Sequence, residues 1–434
     1  MREQISPAGS VSGSIQLPGD KSISHRYAML AAIAEGPTKI SNYSSGADCQ
    51  STLACVRALG AGVESNDGVV CIHGQGLDGL HQPAAALDAG NSGSTIRMLS
   101  GILAAQPFVS TIGGDESLSR RPMERIMKPL AQMGARIDAR DHRFPPLTIY
   151  GGKLRALEYT LPVASAQVKS CVLFAGLFAK GRTTVHEPLR TRDHTELALR
   201  EFGADVDVER LSITLTGPAK LQGRELRVPG DLSSAAFFLV AALLVPESSL
   251  TIRGVGLNPT RSALLDFLVE MGAQIKILDV TASGGEVIGD VLIRKSSGTA
   301  GGRDGVRGGV LEKARTAALI DEIPVLAILG AASEEGLIVR DASELRVKET
   351  DRIATIAENF QRMGLKIQLH QDGFEVPGRQ RFHAAELDSF GDHRIAMAFS
   401  VAALAADGPC AILGADAASV SFPEFFATLQ RVAQ

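Results

Sequence analysis

Several short polar turns in this chain carry lysine, arginine, serine or acidic residues and run directly into an apolar segment. The first is LPGDKSISHRYAMLAA, in which Lys21, Ser22 and Arg26 stand near the start of the apolar run. The first turn of a helix has free backbone N–H groups and the positive end of the dipole, so these residues can hold a phosphate there. A helix cap with solvated charges explains this single stretch equally well.

The turns that follow favour an anion site, because the same residue types recur in them. Gly93, in the second turn, would let a ligand approach the backbone closely. The recurring side chains are Asn91, Ser92 and Arg97 in GNSGSTIR, Arg120 and Arg121 in SRRPM, Ser165, Gln167 and Lys169 in SAQVKS, Asp321 and Glu322 in DEIP, and Asp392, His393 and Arg394 in GDHR. Buried helices that open with such turns would bring several positive dipole ends together, which suits anion binding.

The segment LRVKETDR adds Lys348, Glu349 and Arg352, whose i, i+1 and i+4 spacing predicts one helical face. A solvated charged face is the usual explanation of such a run. Because cations gather at these turns while the chain carries a net charge of −4, we expect a pair of small polyanionic substrates. Carboxylates such as Asp321 and Glu349 would lie among the cations, where either can act as a general acid or base.

Composition narrows the class of protein. With 434 residues, of which 45% are hydrophobic and 21% charged, the chain is long enough for more than one globular domain. Its acidic balance gives no reason to expect nucleic acid or an anionic membrane as a partner. The longest apolar run, AAFFLVAALLV, is far shorter than the ~20 residues that span a bilayer, and the N-terminus lacks the apolar core of a signal peptide. We therefore expect a cytoplasmic protein.

The cysteines and histidines predict no metal site. The 5 cysteines lack the short spacing of a zinc or redox pair, so we expect reduced thiols that fill the core. His25 and His393 stand in the motifs above, but a metal site needs further ligands. A structural or hydrogen-bonding role is the simpler interpretation of both histidines.

Two markers repeat along the chain and predict six copies of one α/β unit. Each polar turn precedes a helix with an almost continuous apolar face, which is typical of a buried helix. Between these helices, amphipathic segments end at a glycine, where a positive φ is cheap, and a β-branched strand follows. The glycines are Gly60, Gly134, Gly203, Gly272 and Gly364, at intervals of about 70 residues apart from a longer fourth interval.

The longer interval contains SSGTAGGRDGVRGG, residues 296–309, which we expect to be an exposed hairpin or loop insertion. A phosphate-binding loop is the alternative, but the required strand, GxxxxGK[ST] and helix are missing around it. The sequence therefore assigns no role to this stretch.

Two nearly identical Pro-Gly-Asp turns, at residues 17–20 and 228–231, predict where the chain passes between two halves. Residues 20–229 would form an inserted domain with three repeats. Residues 1–19 and 230–434 would form a discontinuous domain with the other three. Gly19 and Gly230 lie at the predicted hinges.

Together the motifs resemble those of the 5-enolpyruvylshikimate-3-phosphate synthases. The matching stretches, in order over nearly the whole chain, are LPGDKSISHR, GNSGSTIR, RRPM, SAQVKS, TRDHTE, PGDLSSAAFF, DEIP, LRVKETDR and GDHRIAMAF. The resemblance implies the two-domain enolpyruvyl transferase fold, an α/β fold in which each domain has three βαβαββ units around buried helices, an inside-out α/β barrel. It also implies an active site in the cleft between the domains.

The family transfers the enolpyruvyl group of phosphoenolpyruvate to the 5-hydroxyl of shikimate 3-phosphate and releases phosphate. The resemblance implies that this shikimate-pathway chemistry needs neither a metal nor an organic cofactor. The partners would be the two small substrates, and because a closing cleft needs no subunit partner, we expect a monomer.

The family motifs carry roles to residues of this sequence. The residues that resemble the family's shikimate 3-phosphate ligands are Lys21, Ser22, Arg26, Ser165, Ala166, Gln167, Arg192, Asp321 and Lys348. The residues that resemble the family's phosphoenolpyruvate ligands are Lys21, Asn91, Gly93, Arg121, Gln167, Arg352 and Arg394. Asp321 is the candidate base for the 5-hydroxyl, Glu349 is the candidate acid for the methylene carbon, and Lys21 is a third catalytic candidate.

Two positions depart from one branch of the family. Ala166 replaces the first serine of a pair, and Val420 or a neighbour occupies the place of a lysine before the C-terminal FP element. Both departures are typical of the other branch, and they leave open which group replaces that lysine and whether Asp321 or Glu322 points inward. Because Gly93 has no side chain to crowd the inhibitor, we expect glyphosate to compete with phosphoenolpyruvate.

Two other functions stay open at this level. The UDP-N-acetylglucosamine enolpyruvyl transferases share the architecture and the donor, and Asp115 in the loop before RP does not exclude them. Their first turn usually has a lysine–asparagine pair, whereas this chain has Lys21 and Ser22. The second alternative is a non-catalytic anion-binding protein, which would bind shikimate 3-phosphate without turnover.

Overall fold

The computed structural model of the chain describes residues 1–66, 68–295 and 306–434. In chain order the strands of this part are β1 (Arg2–Ile5), β2 (Ser12–Gln16), β3 (Glu35–Ser41), β4 (Gly62–Asn66), β5 (Val69–Gln75), β6 (Leu87–Asp88), β7 (Val109–Gly113), β8 (Arg136–Arg140), β9 (Phe144–Tyr150), β10 (Glu158–Thr160), β11 (Gly181–His186), β12 (Val206–Glu209), β13 (Ser212–Gly217), β14 (Glu225–Arg227), β15 (Ser249–Gly256), β16 (Gln274–Ser283), β17 (Glu286–Arg294), β18 (Gly309–Leu311), β19 (Leu337–Val339), β20 (Gln368–His370), β21 (Gly373–Val376), β22 (Glu386–Asp388) and β23 (Cys410–Leu413).

The helices of the same part alternate with these strands. They are α1 (Lys21–Ala32), α2 (Ala47–Ala58), α3 (Gly93–Leu103), α4 (Glu116–Ser119), α5 (Glu124–Gln132), α6 (Ala166–Gly176), α7 (His194–Glu201), α8 (Leu232–Leu244), α9 (Ala263–Glu270), α10 (Lys313–Ala318), α11 (Ile323–Ala332), α12 (Arg352–Arg362), α13 (His393–Ala403) and α14 (Phe425–Val432). Short 3₁₀ helices span Ser343–Val347 and Ala415–Val420. Across the described ranges no helix is long and apolar enough to cross a membrane.

The chain divides into two compact units, each with its own hydrophobic core. Unit 1 consists of Met1–Pro18, Pro229–Thr281 and Val287–Gln434. Unit 2 consists of Gly19–Val228 and Ala282–Glu286. The short second piece of unit 2 contains the tip between β16 and β17.

The sheets of unit 2 share one strand order. They are β14-β3-β5-β4, β6-β7-β9-β8 and β10-β11-β13-β12. In each sheet the first two strands are parallel and the other neighbours are antiparallel. This is the βαβαββ arrangement: a helix connects the parallel pair in the second and third sheets, and in all three a second helix precedes the closing hairpin. In the first sheet the parallel partner of β3 is β14, which comes much later in the chain.

Unit 1 follows the same plan but takes strands from the N-terminus. Its sheets are β16-β17-β15-β2, β18-β19-β21-β20 and β1-β23-β22. β2 pairs in parallel with β15, and β1 pairs antiparallel with β23. In the other direction, β14 comes just before α8 of unit 1 in sequence yet pairs with β3 of unit 2. The first strands of the two units are therefore exchanged along the chain.

The helices that follow the polar turns form the interior of each unit. Every residue of α8 and of α13 is buried, and both helices pack against α11. In unit 2, α3 packs against α1 and α6 in the same way. Helices that are apolar on all sides must be buried, so the almost continuous apolar runs place these helices at the centre and leave the amphipathic ones outside.

The repeated glycines end the outer helices. Gly60, Gly134, Gly203, Gly272 and Gly364 follow α2, α5, α7, α9 and α12, and all of them have a positive φ. A residue with a Cβ is strained in that conformation, so glycine lets the chain turn from helix into strand. The sequence prediction at these positions is confirmed.

The predicted helical face over Lys348, Glu349 and Arg352 is wrong. The first part of LRVKETDR is a 3₁₀ helix that ends at Val347, and Lys348 has extended backbone. α12 begins only at Arg352, because the Asp351 side chain caps it by accepting the Ala354 N–H. Most of the glycine-rich stretch, residues 296–305, lies outside the described residues, and its last residue, Gly309, begins β18.

Candidate active site

Lys21 is the first residue of α1 in unit 2. Asp20 caps the helix, since its carboxylate accepts the Ile23 N–H at 2.9 Å. The Lys21 Nζ lies 3.0 Å from the Oδ2 of Asp48, and 18% of the lysine side chain is exposed. The ammonium group therefore stands at a helix N-terminus, where the dipole and the cation attract the same anion.

Arg26 lies one turn further along α1 and is buried. Its Nε donates to Thr195 Oγ1 at 2.6 Å and its Nη2 to Ser170 Oγ at 3.0 Å. Its Nη1 donates to the carbonyl of Ser22 at 2.7 Å. Burial lowers the pKa of Arg26 to about 10, and the carboxylate of Glu196 opposes that shift. Arg26 thus stays a cation at neutral pH in a fixed position below the first turn of α1.

The start of α6 carries Ser165, Ala166 and Gln167. Ser165 caps the helix by accepting a backbone N–H from its first turn. The Gln167 amide accepts from Arg97 Nη1 at 2.7 Å and donates to Ser94 Oγ at 2.9 Å. These contacts join the N-terminal turns of α6 and α3, so the structure brings the second and third predicted turns together.

Arg121 points to the N-terminus of α3. Its Nη2 donates to Asn91 Oδ1 at 2.7 Å and to Ser117 Oγ at 3.0 Å. A Cβ built on Gly93 would lie 3.0 Å from Arg97 Nη1 and 3.5 Å from Arg121 Nη1. Two guanidinium groups therefore converge on Gly93, and glycine leaves the backbone there open to an anion.

Arg192 is half-buried in the segment between β11 and α7. Burial is the main effect that lowers the pKa of Arg26, and the positive charge of Arg192 lowers it further. Unit 2 therefore gathers the cations and hydroxyls that the sequence predicts at the N-termini of α1, α3 and α6. This arrangement can bind a phosphate and a carboxylate.

In unit 1, Arg352 is the centre of a buried ionic network. Its Nε lies 2.8 Å from Asp392 Oδ2, its Nη2 2.6 Å from Glu349 Oε2, and its Nη1 3.7 Å from Asp321 Oδ1. Burial by itself would lower the pKa of Arg352, but Asp392 and Glu349 more than offset it and raise the pKa above its usual value. Arg352 is thus a permanent cation with two partly exposed carboxylates beside it.

Asp321 is the carboxylate of DEIP that lies beside the predicted cations. Its Oδ1 lies 3.3 Å from Lys348 Nζ, and 17% of its side chain is exposed. Arg394 donates from Nη1 to the Asp321 carbonyl at 2.7 Å, which fixes the backbone at this point. Asp321 therefore combines solvent access with neighbours that favour its ionised form.

Glu322 has a different environment from its neighbour in sequence. Only 4% of its side chain is exposed, and it accepts a hydrogen bond from the Ser233 hydroxyl. Arg394 Nη1 lies 3.7 Å and Arg261 Nη2 3.9 Å from its Oε1. Within unit 1, Glu322 is thus held in a buried polar cluster, whereas Asp321 lies with Lys348 and Arg352.

Several residues that contact the predicted site residues in unit 1 and unit 2 were not predicted from the sequence. Asp48 and Arg261 lie in segments without a repeat motif, so only the folded chain shows that they contact Lys21 and Ser233. Ser170 and Thr195 lie inside the quoted SAQVKS and TRDHTE motifs, which was the available signal. Both hydroxyls contact Arg26.

The surroundings of His25 and of two cysteines are visible in the structure. Among the described residues, no group of His, Cys, Asp and Glu side chains is arranged to hold a metal ion. His25 Nδ1 lies 2.7 Å from Thr52 Oγ1, and burial, followed by the charges of Lys21 and Arg26, lowers the pKa of His25 well below its ordinary value. Burial raises the pKa of the Cys49 and Cys171 thiols, as is typical of unreactive core cysteines.

The family model described as EPSP synthase (3-phosphoshikimate 1-carboxyvinyltransferase) matches residues 5–429 of the chain. The chain belongs to the EPSP synthase family. A 3-phosphoshikimate 1-carboxyvinyltransferase of Solibacter usitatus is 65% identical over 434 residues, which cover 100% of both chains. One of Koribacter versatilis is 52% identical over 432 residues, which cover 99% of both.

Solved structures agree with this membership. The EPSP synthase of Acinetobacter baumannii is 43% identical, with a TM-score of 0.87 over 100% of this chain and 98% of that chain. The enolpyruvyl transferase NikO of Streptomyces tendae is 19% identical, with a TM-score of 0.79 over 99% of this chain and 96% of that chain, and shows the fold alone. The predicted two-domain enolpyruvyl transferase fold is confirmed, and membership of the EPSP synthase family decides against the UDP-N-acetylglucosamine alternative.

Proposed function

We propose that this protein is a 3-phosphoshikimate 1-carboxyvinyltransferase, which transfers the enolpyruvyl group of phosphoenolpyruvate to the 5-hydroxyl of shikimate 3-phosphate. The observation that carries this conclusion is the 65% identity over the full length of a relative with that name. The reaction belongs to the shikimate pathway of aromatic amino acid biosynthesis. The proposal also covers the roles of individual residues, which rest on the contacts described above.

Most of the proposed ligands of shikimate 3-phosphate lie in unit 2. Arg26 and Arg192 both supply positive charge, and Ser165 caps a helix whose dipole favours the phosphate. The remaining ligands on this substrate are Lys21, Ser22, Ala166, Gln167, Asp321 and Lys348. Charge-assisted hydrogen bonds from several segments would hold the phosphate and leave the ring hydroxyl free to react.

Phosphoenolpyruvate is bound by a second group of cations. Arg121 converges with Arg97 on Gly93, which supports an anion there, and Asn91 orients Arg121. Arg352 and Arg394 of unit 1 and Lys21 of unit 2 supply further positive charge, and Gln167 offers a neutral amide that can hydrogen-bond to the substrate. Two polyanions repel each other, so cations must neutralise them before the reacting atoms can approach to about 3 Å.

Asp321 and Glu349 carry out the proton transfers. Lys348 and Arg352 favour the carboxylate form of Asp321, which suits a base that takes the proton of the 5-hydroxyl. Glu349 gives a proton to the methylene carbon of phosphoenolpyruvate, so that the substrate oxygen can bond to the neighbouring carbon. Loss of a methyl proton and of phosphate from this tetrahedral adduct restores the double bond in the product.

The remaining aspects of the proposal concern how the enzyme works in the cell. We place it in the cytoplasm, with its cysteines as free thiols, four of which are buried, and expect it to act as a monomer. The described residues supply an acid, a base and charge neutralisation, so the proposed steps need no metal or organic cofactor.

The test is phosphate release from purified protein with phosphoenolpyruvate and either shikimate 3-phosphate or UDP-N-acetylglucosamine as acceptor. We expect turnover with shikimate 3-phosphate alone, and a large loss of it in Glu349→Gln. Turnover with UDP-N-acetylglucosamine would contradict the assignment. If the wild type and Glu349→Gln both bind shikimate 3-phosphate but neither releases phosphate, the result would support the non-catalytic alternative.

A further inference from the structure

A buried ionic cluster in unit 2 has no part in the chemistry proposed above. Lys169, on α6, has a side chain with 0% exposure, and its Nζ lies 2.7 Å from Glu196 Oε1 and 3.1 Å from Glu187 Oε1. Both glutamates are almost fully buried as well. Three charges buried away from water are costly unless they contact one another, so the side chains of this cluster are held in the arrangement that pairs them.

The Glu196 side of this cluster fixes α7 against α6. The next residue on α6 is Ser170, and its Oγ lies 2.6 Å from Oγ1 of Thr195, which precedes Glu196 on α7. Arg26 donates hydrogen bonds to both hydroxyls. An ion pair and a hydroxyl pair at adjacent positions thus hold the two helices, and Arg26 depends on both of them for its orientation.

The Glu187 side of the cluster fixes the segment that carries Arg192. Glu187 directly follows β11, and its Oε1 faces Lys169. The same Oε1 accepts a hydrogen bond from the hydroxyl of Thr191, the residue before Arg192. A short chain of contacts therefore runs from the buried ammonium group to the backbone of Arg192.

We propose that Lys169 is a positioning residue for the shikimate 3-phosphate site, acting through Glu187 and Thr191 on Arg192 and through Glu196 on Arg26. The inference rests on the proposed function, because it concerns how that substrate is recognised. A guanidinium group that is oriented before the ligand arrives loses less conformational freedom on binding. Lys169 therefore contributes to affinity for the phosphate without touching it.

This proposal separates the two substrates. Arg192 and Arg26 are assigned to the phosphate of shikimate 3-phosphate, whereas Arg121 and Asn91 near Gly93 lie on another pair of segments. Loosening the Arg192 segment should thus weaken binding of shikimate 3-phosphate and leave binding of phosphoenolpyruvate unchanged. A cluster that only stabilised the fold would affect both substrates equally or neither.

The test uses Thr191→Val, which keeps the shape of the side chain and removes the hydroxyl that Glu187 accepts from. Thr191→Ser keeps the hydroxyl, and Thr184→Val makes the same chemical change on β11, at a hydroxyl that contacts Thr214. We expect the KM for shikimate 3-phosphate to rise about tenfold in Thr191→Val, with kcat and the KM for phosphoenolpyruvate within about twofold. Both controls should resemble the wild type.

Lys169→Met is a second variant, which leaves two buried carboxylates without their cation. We expect it to melt at a lower temperature and, where it folds, to show the same selective rise in KM. The Thr191 variants keep the inference falsifiable if Lys169→Met does not fold. Calorimetric titration of shikimate 3-phosphate alone should reproduce the difference between Thr191→Val and Thr191→Ser.

Two results would overturn the inference, and they are distinguishable from each other. If the wild type turns over both substrates but Thr191→Val keeps its KM for shikimate 3-phosphate, the proposed function stands and the positioning role fails. If the wild type neither binds shikimate 3-phosphate nor releases phosphate, both proposals fail.

Discussion

Neighbouring carboxylates of unit 1 have separate environments, and this separation matters for the chemistry. Asp392 is fully buried and holds Arg352 in place, whereas Asp321 and Glu349 lie beside the same guanidinium group with 17% of each side chain exposed. The buried pair sets the position of the cation, and the accessible carboxylates can exchange protons with a substrate. Sequence alone does not distinguish these roles, because all of these residues occur in short charged motifs.

The first prediction contrasts Asp321 with Glu322. Asp321→Asn removes the proposed base, so we expect kcat to fall by about 10²–10⁴-fold with little change in thermal stability. Glu322→Gln alters the buried cluster with Ser233 and Arg261, and we expect a lower melting temperature as its main effect. Steady-state kinetics and thermal melts on both variants check this. Equal losses of kcat at near-native stability would contradict the assignment of the base.

Gly93 gives the second prediction. In Gly93→Ala the new methyl group would lie 3.0 Å from Arg97 Nη1, so the two guanidinium groups must move apart or the anion must bind further away. We expect the KM for phosphoenolpyruvate and the inhibition constant of glyphosate to rise about tenfold or more, with a smaller change for shikimate 3-phosphate. Gly152→Ala is the matched control, since nothing lies within 4 Å of a Cβ there. An unchanged KM for phosphoenolpyruvate would remove Gly93 from its site.

At the scale of helices and strands, local signals in the sequence are reliable where local physics decides the structure. Polar caps start the buried helices at Asp20, Ser92, Ser165, Asp231 and Asp392, and the repeated glycines end the outer ones. The helix predicted over residues 348–352 fails because Asp351 caps α12, so that helix cannot extend to the residues before the cap. In that segment the capping residue Asp351 predicts the start of the helix better than the spacing of the charged residues does.

Contacts between distant segments could not be predicted. Lys169, Glu187 and Glu196 come from three elements, and neither periodicity nor motif spacing indicates that they meet. The same holds for Lys21 with Asp48 and for Arg121 with Asn91. The resemblance to a family names the ligands of the substrates, but the residues that hold those ligands depend on tertiary packing.

His25 gives a prediction about the packing of α1, α2 and α3. Its Nδ1 contacts Thr52, whose hydroxyl lies 2.7 Å from that of Thr95. Burial, followed by the charges of Lys21 and Arg26, keeps the pKa of His25 well below 6.5 in the folded state. Below pH 6.5 the unfolded chain takes up a proton that the folded chain does not. As the pH drops below 6.5, this group should therefore lower the free energy of unfolding by about 1.4 kcal/mol for each pH unit.

The check is urea unfolding at pH 7.5 and pH 5.5 for the wild type and His25→Asn. Asparagine places a polar atom near the position of Nδ1 but does not titrate. We expect a smaller loss of stability at acid pH in the variant, although other groups contribute in both proteins. The same acid loss in both would show that His25 is not the group responsible.

At the scale of the whole chain, the exchanged strands decide which pieces can fold. Residues 19–228 include β14, so this segment contains all the strands of the three sheets described for unit 2. Residues 229–434 lack β1 and β2, so the edges of β15 and β23 would be exposed.

We therefore expect a fragment of residues 19–228 to be monomeric and to melt cooperatively. A fragment of residues 229–434 should aggregate, and joining residues 1–18 to its N-terminus should restore solubility. Circular dichroism melts and size-exclusion chromatography check both statements. A soluble, cooperatively folded fragment of residues 229–434 without the N-terminal strands would show that β1 and β2 are dispensable.

The exchanged strands also have the connectivity of a domain swap. Elsewhere in the described chain, the strand that precedes a buried helix, such as β6 before α3 or β10 before α6, joins the sheet that follows that helix. Only at the junctions before α1 and α8, within that part, does the strand join the other unit. This is the connectivity that results when two copies of a three-repeat ancestor exchange their first strands as a swapped dimer and then become fused in one gene. The order of segments along this chain is therefore the order that a strand-swapped pair joined into one polypeptide would have.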